Sequence, residues 1–215
     1  GLYNPHGTLA GEELAQYAAF ARAAEPRGVQ ENLGNEHGAI IGTHKNMGMG
    51  KMTEQKYADI VTPELLAGAI ENNEFTGFRE DYHVLHCLLK IHAPKIFLEV
   101  GTNMGRGTKI IKNALGPESD VYSLDLPTEL AHVSLQHPIN EGHGDRVGHL
   151  CDLPFTQLRG DSMEFDFVEH PCEGYFIDGE HDFDHPHRET SEIVKNKPKL
   201  IVWHDSDIDV VYQAI

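Results

Sequence analysis

From residue 95 onward, short apolar segments alternate with helical ones, and this alternation restricts the fold more than any other feature of the sequence. Each apolar segment has the length of a strand and is followed within two residues by a glycine or an acid. Strands separated by helices run parallel, because a parallel connection needs a long crossover. The pattern therefore predicts an α/β fold with a doubly wound parallel sheet. The five predicted strands are residues 95–100, 121–124, 155–159, 175–177 and 200–203.

The preceding residues carry helical patterns, which predict an N-terminal helical extension. Residues 12–24 place apolar side chains on one helical face, and residues 78–92 form a longer helix of the same kind. Between them, Thr62-Pro63-Glu64 has the order of an N-cap, a proline at the first helical position and an acid near the positive helix end. We therefore divide the chain into an N-terminal helical or lid region, residues 1–93, and a core domain, residues 94–215.

The charge of the chain limits its partners. Its 34 acidic and 17 basic side chains give a formal net charge of -17, and such a surface repels the phosphate backbone on which nucleic-acid binding depends. No run of 18 apolar residues is present, so no membrane span is expected. The three cysteines are odd in number and widely spaced, which favours reduced thiols and a cytoplasmic location. A small molecule is thus the expected partner, without nucleic acid or membrane.

A glycine-containing segment, E-V-G-T-N-M-G-R-G-T, joins the first predicted strand to the helix after it. Gly101 permits a tight turn there, and Gly105 lets the backbone approach a ligand without a Cβ atom in the way. Asp125, 20 residues after Gly105, ends the second predicted strand, where a carboxylate can accept hydrogen bonds from both ribose hydroxyls. Three residues separate the two glycines, unlike the G-x-G-x-x-G of diphosphate-binding loops, so a diphosphate ligand is disfavoured.

Through its pattern E-x-G-x-x-x-G-x-x-T, this segment resembles the first motif of class I S-adenosylmethionine-dependent methyltransferases, in particular the small-molecule O-methyltransferase branch. The resemblance implies a Rossmann-like sheet in which Gly101 and Gly105 flank the methionine portion of S-adenosylmethionine. It also implies that Asp125 binds the ribose and that Asp161 lies beside the adenine. The cofactor-binding residues expected from it are Glu99, Gly101, Thr102, Gly105, Asp125, Asp161 and Ser162.

Acidic and imidazole side chains follow the last two predicted strands. Asp178 comes directly after Y-F-I, and His204 and Asp205 come directly after L-I-V-W. Because adjacent parallel strands end at the same edge of a sheet, we expect these side chains to converge. Two carboxylates and an imidazole at one point make a site for a divalent cation, with water or substrate at the open positions.

The surrounding sequence resembles the methyltransferase family 24-like group of metal-dependent small-molecule O-methyltransferases, whose fourth motif is I-D-G-x-H. The resemblance implies that Asp178, His204 and Asp205 bind the metal. It also implies that Asp178 and His181 are catalytic, with His181 taking the proton of the acceptor hydroxyl. Magnesium is the expected ion, but an imidazole suits Mn²⁺, Fe²⁺ or Zn²⁺ better, which leaves the identity of the metal open.

Members of this family continue after the fifth strand through a helix and two more strands, whereas this sequence reaches Ile215. We therefore expect those strands to be missing from this chain, either by truncation or by their absence from the protein. A sheet that ends after five strands has an open edge, which would suit a homo-oligomer.

These features predict an enzyme, an S-adenosylmethionine-dependent O-methyltransferase that is assisted by a divalent metal and acts on a small hydroxylated molecule of sugar or natural-product type. Metal coordination lowers the pKa of such a hydroxyl, and a nearby imidazole can accept its proton. Two alternatives stay open at this point. One is a metal-dependent oxygenase or hydrolase that uses the same sheet edge, and the other is a non-catalytic module that binds S-adenosylmethionine.

Overall fold

The computed structural model of the 215-residue chain describes residues 19–22, 38–41, 53–69, 79–127, 146–206 and 208–215. The strands are β1 (Ala19–Arg22), β2 (Gly38–Ile41), β3 (Thr53–Lys56), β4 (Ile96–Val100), β5 (Asp120–Asp125), β6 (Thr156–Arg159), β7 (Gly174–Ile177) and β8 (Leu200–Trp203). The helices are α1 (Tyr57–Ile60), α2 (Pro63–Leu66), α3 (Arg79–His92), α4 (Arg106–Leu115), α5 (Asp184–Ile193) and α6 (Asp209–Ala214), with a 3₁₀ helix at Val194–Asn196.

The five strands predicted from the alternating pattern pair in parallel, in the order β8-β7-β4-β5-β6. β4 lies between β5 and β7, so the chain winds outward from it in both directions. The helix α4 connects β4 to β5, and α5 lies between β7 and β8 in the chain, as the crossovers between parallel neighbours require. The predicted doubly wound α/β fold is confirmed.

These parallel strands are buried on both faces of the sheet, which explains why they read as apolar runs in the sequence. Side chains that alternate along a strand enter two separate cores, and each fully buried one contributes about 1.5–3 kcal/mol relative to an exposed position. The core that includes α3 and α4 takes Phe97, Val121, Phe176, Leu200 and Val202 from the strands. The core that includes α5 and the 3₁₀ helix takes Leu98, Val100, Leu124, Tyr175, Ile177, Ile201 and Trp203.

One predicted helix in the N-terminal region is wrong where the structure describes it, and residues 12–18 and 23–24 of that prediction lie outside the described residues. Ala19–Arg22, inside the predicted helix 12–24, form the strand β1, which pairs in parallel with β8. β2 and β3 extend the sheet further by antiparallel pairing. Ordinary residues differ in helix propensity by at most about 0.7 kcal/mol each, and the backbone groups at the edge of β8 offer β1 a ladder of hydrogen bonds instead. The sheet edge expected to be open is therefore covered by the chain itself.

The other two helical predictions in this region are confirmed. Thr62 Oγ1 accepts a hydrogen bond from the backbone N–H of Leu65 (3.3 Å), and Pro63 begins α2. The helix α3 begins at Arg79, within one residue of the predicted start, and packs its apolar side chains on the sheet. No helix in the described part of the chain has both the length and the apolar character needed to cross a membrane. The division of the chain at residue 93 stays a prediction.

Candidate active site

The carboxyl ends of β4 to β8 meet at one edge of the sheet, and the turn after β4 lies at its centre. Gly101 opens that turn with a φ of 96°, and its N–H donates to the carbonyl of Leu124 (2.8 Å). A Cβ atom at Gly101 would collide with the carbonyl oxygen of Asp178, which follows β7. Glycine is therefore required at this position, both by the backbone conformation and by the close approach of the neighbouring strand.

Gly105 ends the turn as the N-cap of α4, with a φ of 89°. A Cβ atom there would lie 2.8 Å from the backbone of Gly148. The Gly148 N–H donates to the Asn103 carbonyl (2.9 Å), and the Leu150 N–H donates to the Met104 carbonyl (2.9 Å). Gly148 lies outside the sequence motif, yet its segment holds one side of the turn in place.

The carboxylate of Asp125 is fixed beside this turn by two backbone hydrogen bonds. The Asn103 N–H donates to Oδ2 (2.7 Å), and the Leu126 N–H donates to Oδ1 (2.8 Å). Asn103 reaches this position at a φ of 45°, in the left-handed region that asparagine tolerates better than most residues. Each carboxylate oxygen has a second lone pair, so the half-buried Asp125 can still accept hydrogen bonds from a ligand.

Glu99 lies beneath the turn rather than at its surface. The residue is 1% exposed, and its carboxylate accepts hydrogen bonds from the hydroxyls of Thr108 and Ser123. Burial raises the pKa of Glu99 to about 8, although the two hydroxyls act in the opposite direction. A Cβ atom at Gly107 would collide with this carboxylate, so the glycine makes room for it. Glu99 thus joins the start of α4 to β5 and supports the turn from below.

Thr102 belongs to a set of hydrogen bonds that crosses from β4 to β6. Its hydroxyl lies 2.6 Å from that of Ser123 on β5, and it accepts a hydrogen bond from Gln157 Nε2 on β6 (2.9 Å). Gln157 also donates to the Ser123 carbonyl (2.8 Å). No motif marks Gln157 in the sequence. Only the β5–β6 register, which pairs it with Ser123, brings it to the turn.

Asp161 and Ser162 lie in the turn that follows β6, at the same edge of the sheet. Asp161 Oδ1 accepts a hydrogen bond from the Met163 N–H (2.8 Å), and the Ser162 carbonyl accepts one from Arg188 on α5 (2.6 Å). β6 pairs with β5, whose last residue is Asp125. This turn therefore lies on the Asp125 side of the edge. The sequence resemblance to methyltransferases implies that the nucleoside of S-adenosylmethionine would bind on this side.

The ends of β7 and β8 bring four ionisable side chains together. Ligand atoms of Asp178, His181 and Asp205 lie within 4.8 Å of one another. His181 Nε2 is 2.8 Å from Asp205 Oδ2 and 4.0 Å from Asp178 Oδ1. His204 Nδ1 is 2.7 Å from Asp205 Oδ2 and 3.3 Å from Asp178 Oδ1. Both imidazoles thus face the same two carboxylates, and the expected convergence is present.

These carboxylates and imidazoles stabilise each other's charged forms. The nearby carboxylates of Asp178 and Asp205 raise the pKa of His181 to about 10, against the opposing effect of burial. Burial lowers the pKa of His204, but the same two carboxylates outweigh it and raise the pKa to about 11. Burial acts to raise the pKa of Asp205, yet its hydrogen bonds to the imidazoles bring the pKa below its ordinary value. Without a cation the two carboxylates hold protons on both imidazoles, and a cation attracted by the same carboxylates would displace those protons.

The donor atoms of this cluster fit a divalent cation. Two carboxylates supply oxygen ligands of the kind Mg²⁺ prefers, and an imidazole nitrogen extends the choice to Mn²⁺, Fe²⁺ or Zn²⁺. Asp205 has a φ of 51°, which a non-glycine residue rarely adopts and which is concentrated at functional sites. His181 belongs to the group of three close ligand atoms. It is therefore as well placed to bind a cation as His204, to which the sequence analysis assigns that role.

The helix α3 contributes two residues that the sequence motifs do not include. Asp81 Oδ2 lies 3.6 Å from His204 Nε2, and the Tyr82 ring stacks on the His204 ring at 6.3 Å between centroids. The sequence did contain a signal for Asp81, which is its place on the apolar stripe of the helix. Asp81 lies about one helical turn before Leu85 and about two turns before Leu88, and both leucines are buried. An acid on such a stripe needs a partner, and the partner becomes visible only in the fold.

No protein-family model and no curated protein sequence matches this chain. Among solved structures, it is similar to the O-methyltransferase from Bacillus cereus in complex with SAH, with 15% identity and a TM-score of 0.43 over 70% of each chain. It is also similar to the O-methyltransferase TomG from Streptomyces achromogenes, involved in tomaymycin synthesis and in complex with SAM. That similarity has 18% identity and a TM-score of 0.42 over 71% of this chain and 76% of TomG. At TM-scores this low, these similarities decide neither the fold nor the function of the chain.

Proposed function

We propose that this chain is an S-adenosylmethionine-dependent O-methyltransferase, assisted by a divalent cation, whose acceptor is a small hydroxylated molecule of sugar or natural-product type. One observation carries the proposal. Gly101, in the turn that resembles a methyltransferase cofactor loop, packs on the carbonyl of Asp178, which begins the carboxylate–imidazole cluster. Cofactor and cation would therefore be neighbours. Methyl transfer needs such an arrangement, because the methyl donor and the accepting oxygen must be in contact.

The cofactor would occupy the turn after β4 and the ends of β5 and β6. Gly101 and Gly105 would flank its methionine portion, and their missing Cβ atoms let the turn pack on the backbone of Asp178 and Gly148, which fixes its conformation beside the cofactor. Asp125, whose carboxylate is held by two backbone N–H groups, would accept hydrogen bonds from the ribose hydroxyls. Asp161 and Ser162 would lie beside the adenine, in the turn next to Asp125. Each of these roles follows the resemblance of the sequence motifs.

The carboxylates of Asp178 and Asp205, together with His204, would hold the cation, with Mg²⁺ expected. When bound, the cation supplies Lewis acidity that lowers the pKa of a coordinated acceptor hydroxyl. The side chain of His181 is 35% exposed and that of His204 is 10% exposed, so His181 is the imidazole that an acceptor can reach. We therefore assign His181 the role of the base that takes the hydroxyl proton, which it can do once a bound cation occupies Asp178 and Asp205 and releases the proton that these carboxylates hold on the imidazole. Such a base typically contributes about 10²- to 10⁴-fold to a rate.

The surroundings of the site restrict the acceptor and the compartment. A net charge of -17 disfavours anionic acceptors and favours neutral or cationic ones. Cys87, Cys151 and Cys172 carry free thiols, which are usual in the cytoplasm, where disulfides are rare. We therefore place the reaction in the cytoplasm, on an uncharged or basic small molecule.

Calorimetric titration with S-adenosylmethionine and S-adenosylhomocysteine, with and without Mg²⁺ or Mn²⁺, tests the cofactor and cation sites separately. We expect both nucleosides to bind without metal, and methylated product, detected by mass spectrometry over a panel of sugars and phenols, to require metal. His181→Ala should lose product formation and keep the affinity for S-adenosylhomocysteine.

The other outcomes separate the competing functions. Tight binding of S-adenosylmethionine without product from any acceptor would support a non-catalytic module. Redox-sensitive iron binding without methyl transfer would support an oxygenase. No binding of either nucleoside would exclude a methyltransferase.

A further inference from the structure

We propose that Asp81 is a positioning residue for His204, whose ring it holds with Nδ1 directed at Asp178 and Asp205. The inference rests on the proposed function, because the atom directed in this way would bind its cation. It gives the helix α3 a direct part in the cation site, although α3 lies before residue 94, where the predicted core domain begins.

The His204 ring lies between carboxylates on two opposite sides. Nδ1 faces Asp205 Oδ2 at 2.7 Å and Asp178 Oδ1 at 3.3 Å. Nε2, on the far side of the ring, faces Asp81 Oδ2 at 3.6 Å. Only 10% of the side chain is exposed, so protein contacts rather than solvent determine the orientation of the ring.

Aromatic neighbours restrict the movement of this ring further. Tyr82, next to Asp81 on α3, stacks on the His204 ring with an angle of 25° between the planes. Phe176 on β7 meets it at 86°, with 6.1 Å between ring centroids. These contacts limit rotation of the His204 ring and so keep Nδ1 on the side of Asp178 and Asp205. The charges around the ring then decide which of its nitrogens carries the hydrogen.

The charge of Asp81 has a definite effect on the imidazole. A neutral imidazole carries a hydrogen on one nitrogen and a lone pair on the other, and only the lone pair can bind a cation. At 3.6 Å the contact is longer than a hydrogen bond, so the attraction acts between the carboxylate charge and the Nε2–H dipole. This attraction favours the hydrogen at Nε2. The oxygens of Asp178 and Asp205 lie closer to Nδ1 and hold a hydrogen there while no cation is bound, so the Nδ1 lone pair becomes available when a cation that binds those carboxylates displaces this hydrogen. Carboxylates that orient a metal-binding histidine typically contribute about 10- to 100-fold to metal affinity.

Asp81 stands where an apolar residue would stabilise the helix more. It precedes Leu85 and Leu88 on the face of α3 that packs on the sheet, and both leucines are 1% exposed. The side chain of Asp81 is itself 19% exposed, so its carboxylate has lost much of its hydration, which is unfavourable without a compensating partner. The contact with His204 contributes to this compensation.

Binding of Mn²⁺, followed by the electron paramagnetic resonance signal of the free ion, tests the inference. Asp81→Leu completes the apolar stripe of α3, whereas Asp81→Asn keeps an oxygen acceptor. We expect Asp81→Leu to weaken Mn²⁺ binding about 10- to 100-fold while its unfolding temperature stays level or rises, and Asp81→Asn to lose less affinity. The affinity for S-adenosylhomocysteine should stay at the wild-type value in both variants. Asp120→Asn, which removes an exposed carboxylate at the start of β5, controls for the loss of one negative charge.

A double-mutant comparison separates positioning from general electrostatics. Because Asp81 acts through His204, the Asp81→Leu/His204→Ala double variant should bind Mn²⁺ no more weakly than His204→Ala alone. Unchanged Mn²⁺ affinity in Asp81→Leu, or an additive loss in the double variant, would overturn the inference. A wild-type chain that binds S-adenosylhomocysteine but no Mn²⁺ would overturn both this inference and the cation of the proposed function. A wild-type chain that binds Mn²⁺ but neither nucleoside would overturn the methyltransferase alone.

Discussion

A Cβ atom on Gly101 would lie well within van der Waals contact distance of the carbonyl oxygen of Asp178. The two residues follow adjacent parallel strands, and Val100 pairs with Ile177 immediately before them. The Asp178 N–H also donates to the Val100 carbonyl (2.8 Å), which continues the strand pairing to the edge of the sheet. A side chain at position 101 would push the turn away from the cluster. The proposed cofactor, which binds at the turn, would then lie farther from the proposed cation, which binds at the cluster.

Gly101→Ala should therefore lose binding of S-adenosylhomocysteine. Gly116 is a matched control, because it too has a positive φ, of 75°, but no atom lies within 4 Å of the place its Cβ would take. Gly116→Ala should cost about 1 kcal/mol of stability through backbone strain alone and keep its affinity for the nucleoside. Calorimetry and thermal unfolding of both variants measure the difference. Equal nucleoside affinity in the two variants would contradict the steric role of Gly101.

Glu99 should make the stability of the chain depend on pH. Its pKa in the folded chain is about 8, above the ordinary 4.5, so the folded chain keeps a proton that the unfolded chain loses between these values. The free energy of unfolding of the wild type should therefore fall relative to that of Glu99→Gln as the pH rises through this range, and change little above it. The slope should be at most about 1.4 kcal/mol per pH unit.

Urea unfolding at several pH values measures this difference. Glu164→Gln, at an exposed position, is the control for a glutamate that lies away from the turn. If the difference in free energy of unfolding between the wild type and Glu99→Gln stays constant from about pH 5 to about pH 8, the buried carboxyl group of Glu99 does not hold its proton.

Gln157 should contribute to cofactor binding although it belongs to no motif. Gln157→Met keeps the length of the side chain but removes the donors to the Thr102 hydroxyl and the Ser123 carbonyl. Removing a partner from buried polar groups costs about 1–3 kcal/mol, which we expect to be divided between stability and nucleoside affinity. Calorimetry should show weaker binding than in Gln213→Met, a control at an exposed position on α6. Wild-type affinity in Gln157→Met would mean that the turn does not need this support.

Removal of metal should stop methyl transfer without releasing the nucleoside. Dialysis against a chelator should abolish product formation, and added Mg²⁺ or Mn²⁺ should restore it. Asp178→Asn and Asp205→Asn should each lose Mn²⁺ binding, since each removes a charged ligand from the cluster. Asp152→Asn, which breaks an exposed ion pair with Lys109, should match the wild type, because such pairs contribute about 0–1 kcal/mol. Turnover that survives both chelation and the two cluster substitutions would remove the metal from the mechanism.

The central sheet could be predicted because local sequence is sufficient for it. Buried parallel strands must be apolar on both faces, and the turns after them must contain glycine or polar residues, so β4 to β8 are visible as separate segments. β1 was not predictable in this way. Its four residues, Ala19–Arg22, have no strong preference for a strand, and their pairing with β2 and with the distant strand β8 makes them one.

The sequence by itself determined which residues stand at the ends of the strands: Gly101 and Asp125 after the first two, Asp178 and the His204–Asp205 pair after the last two. It did so because strand, turn and helix signals are local, and the edge at which parallel strands end follows from their direction. Only the tertiary structure decided which of their atoms have partners, such as Asp81 beside His204 and Gln157 beside Thr102. Those contacts depend on strand register and helix packing, which join residues far apart in the chain through energies that no local segment contains.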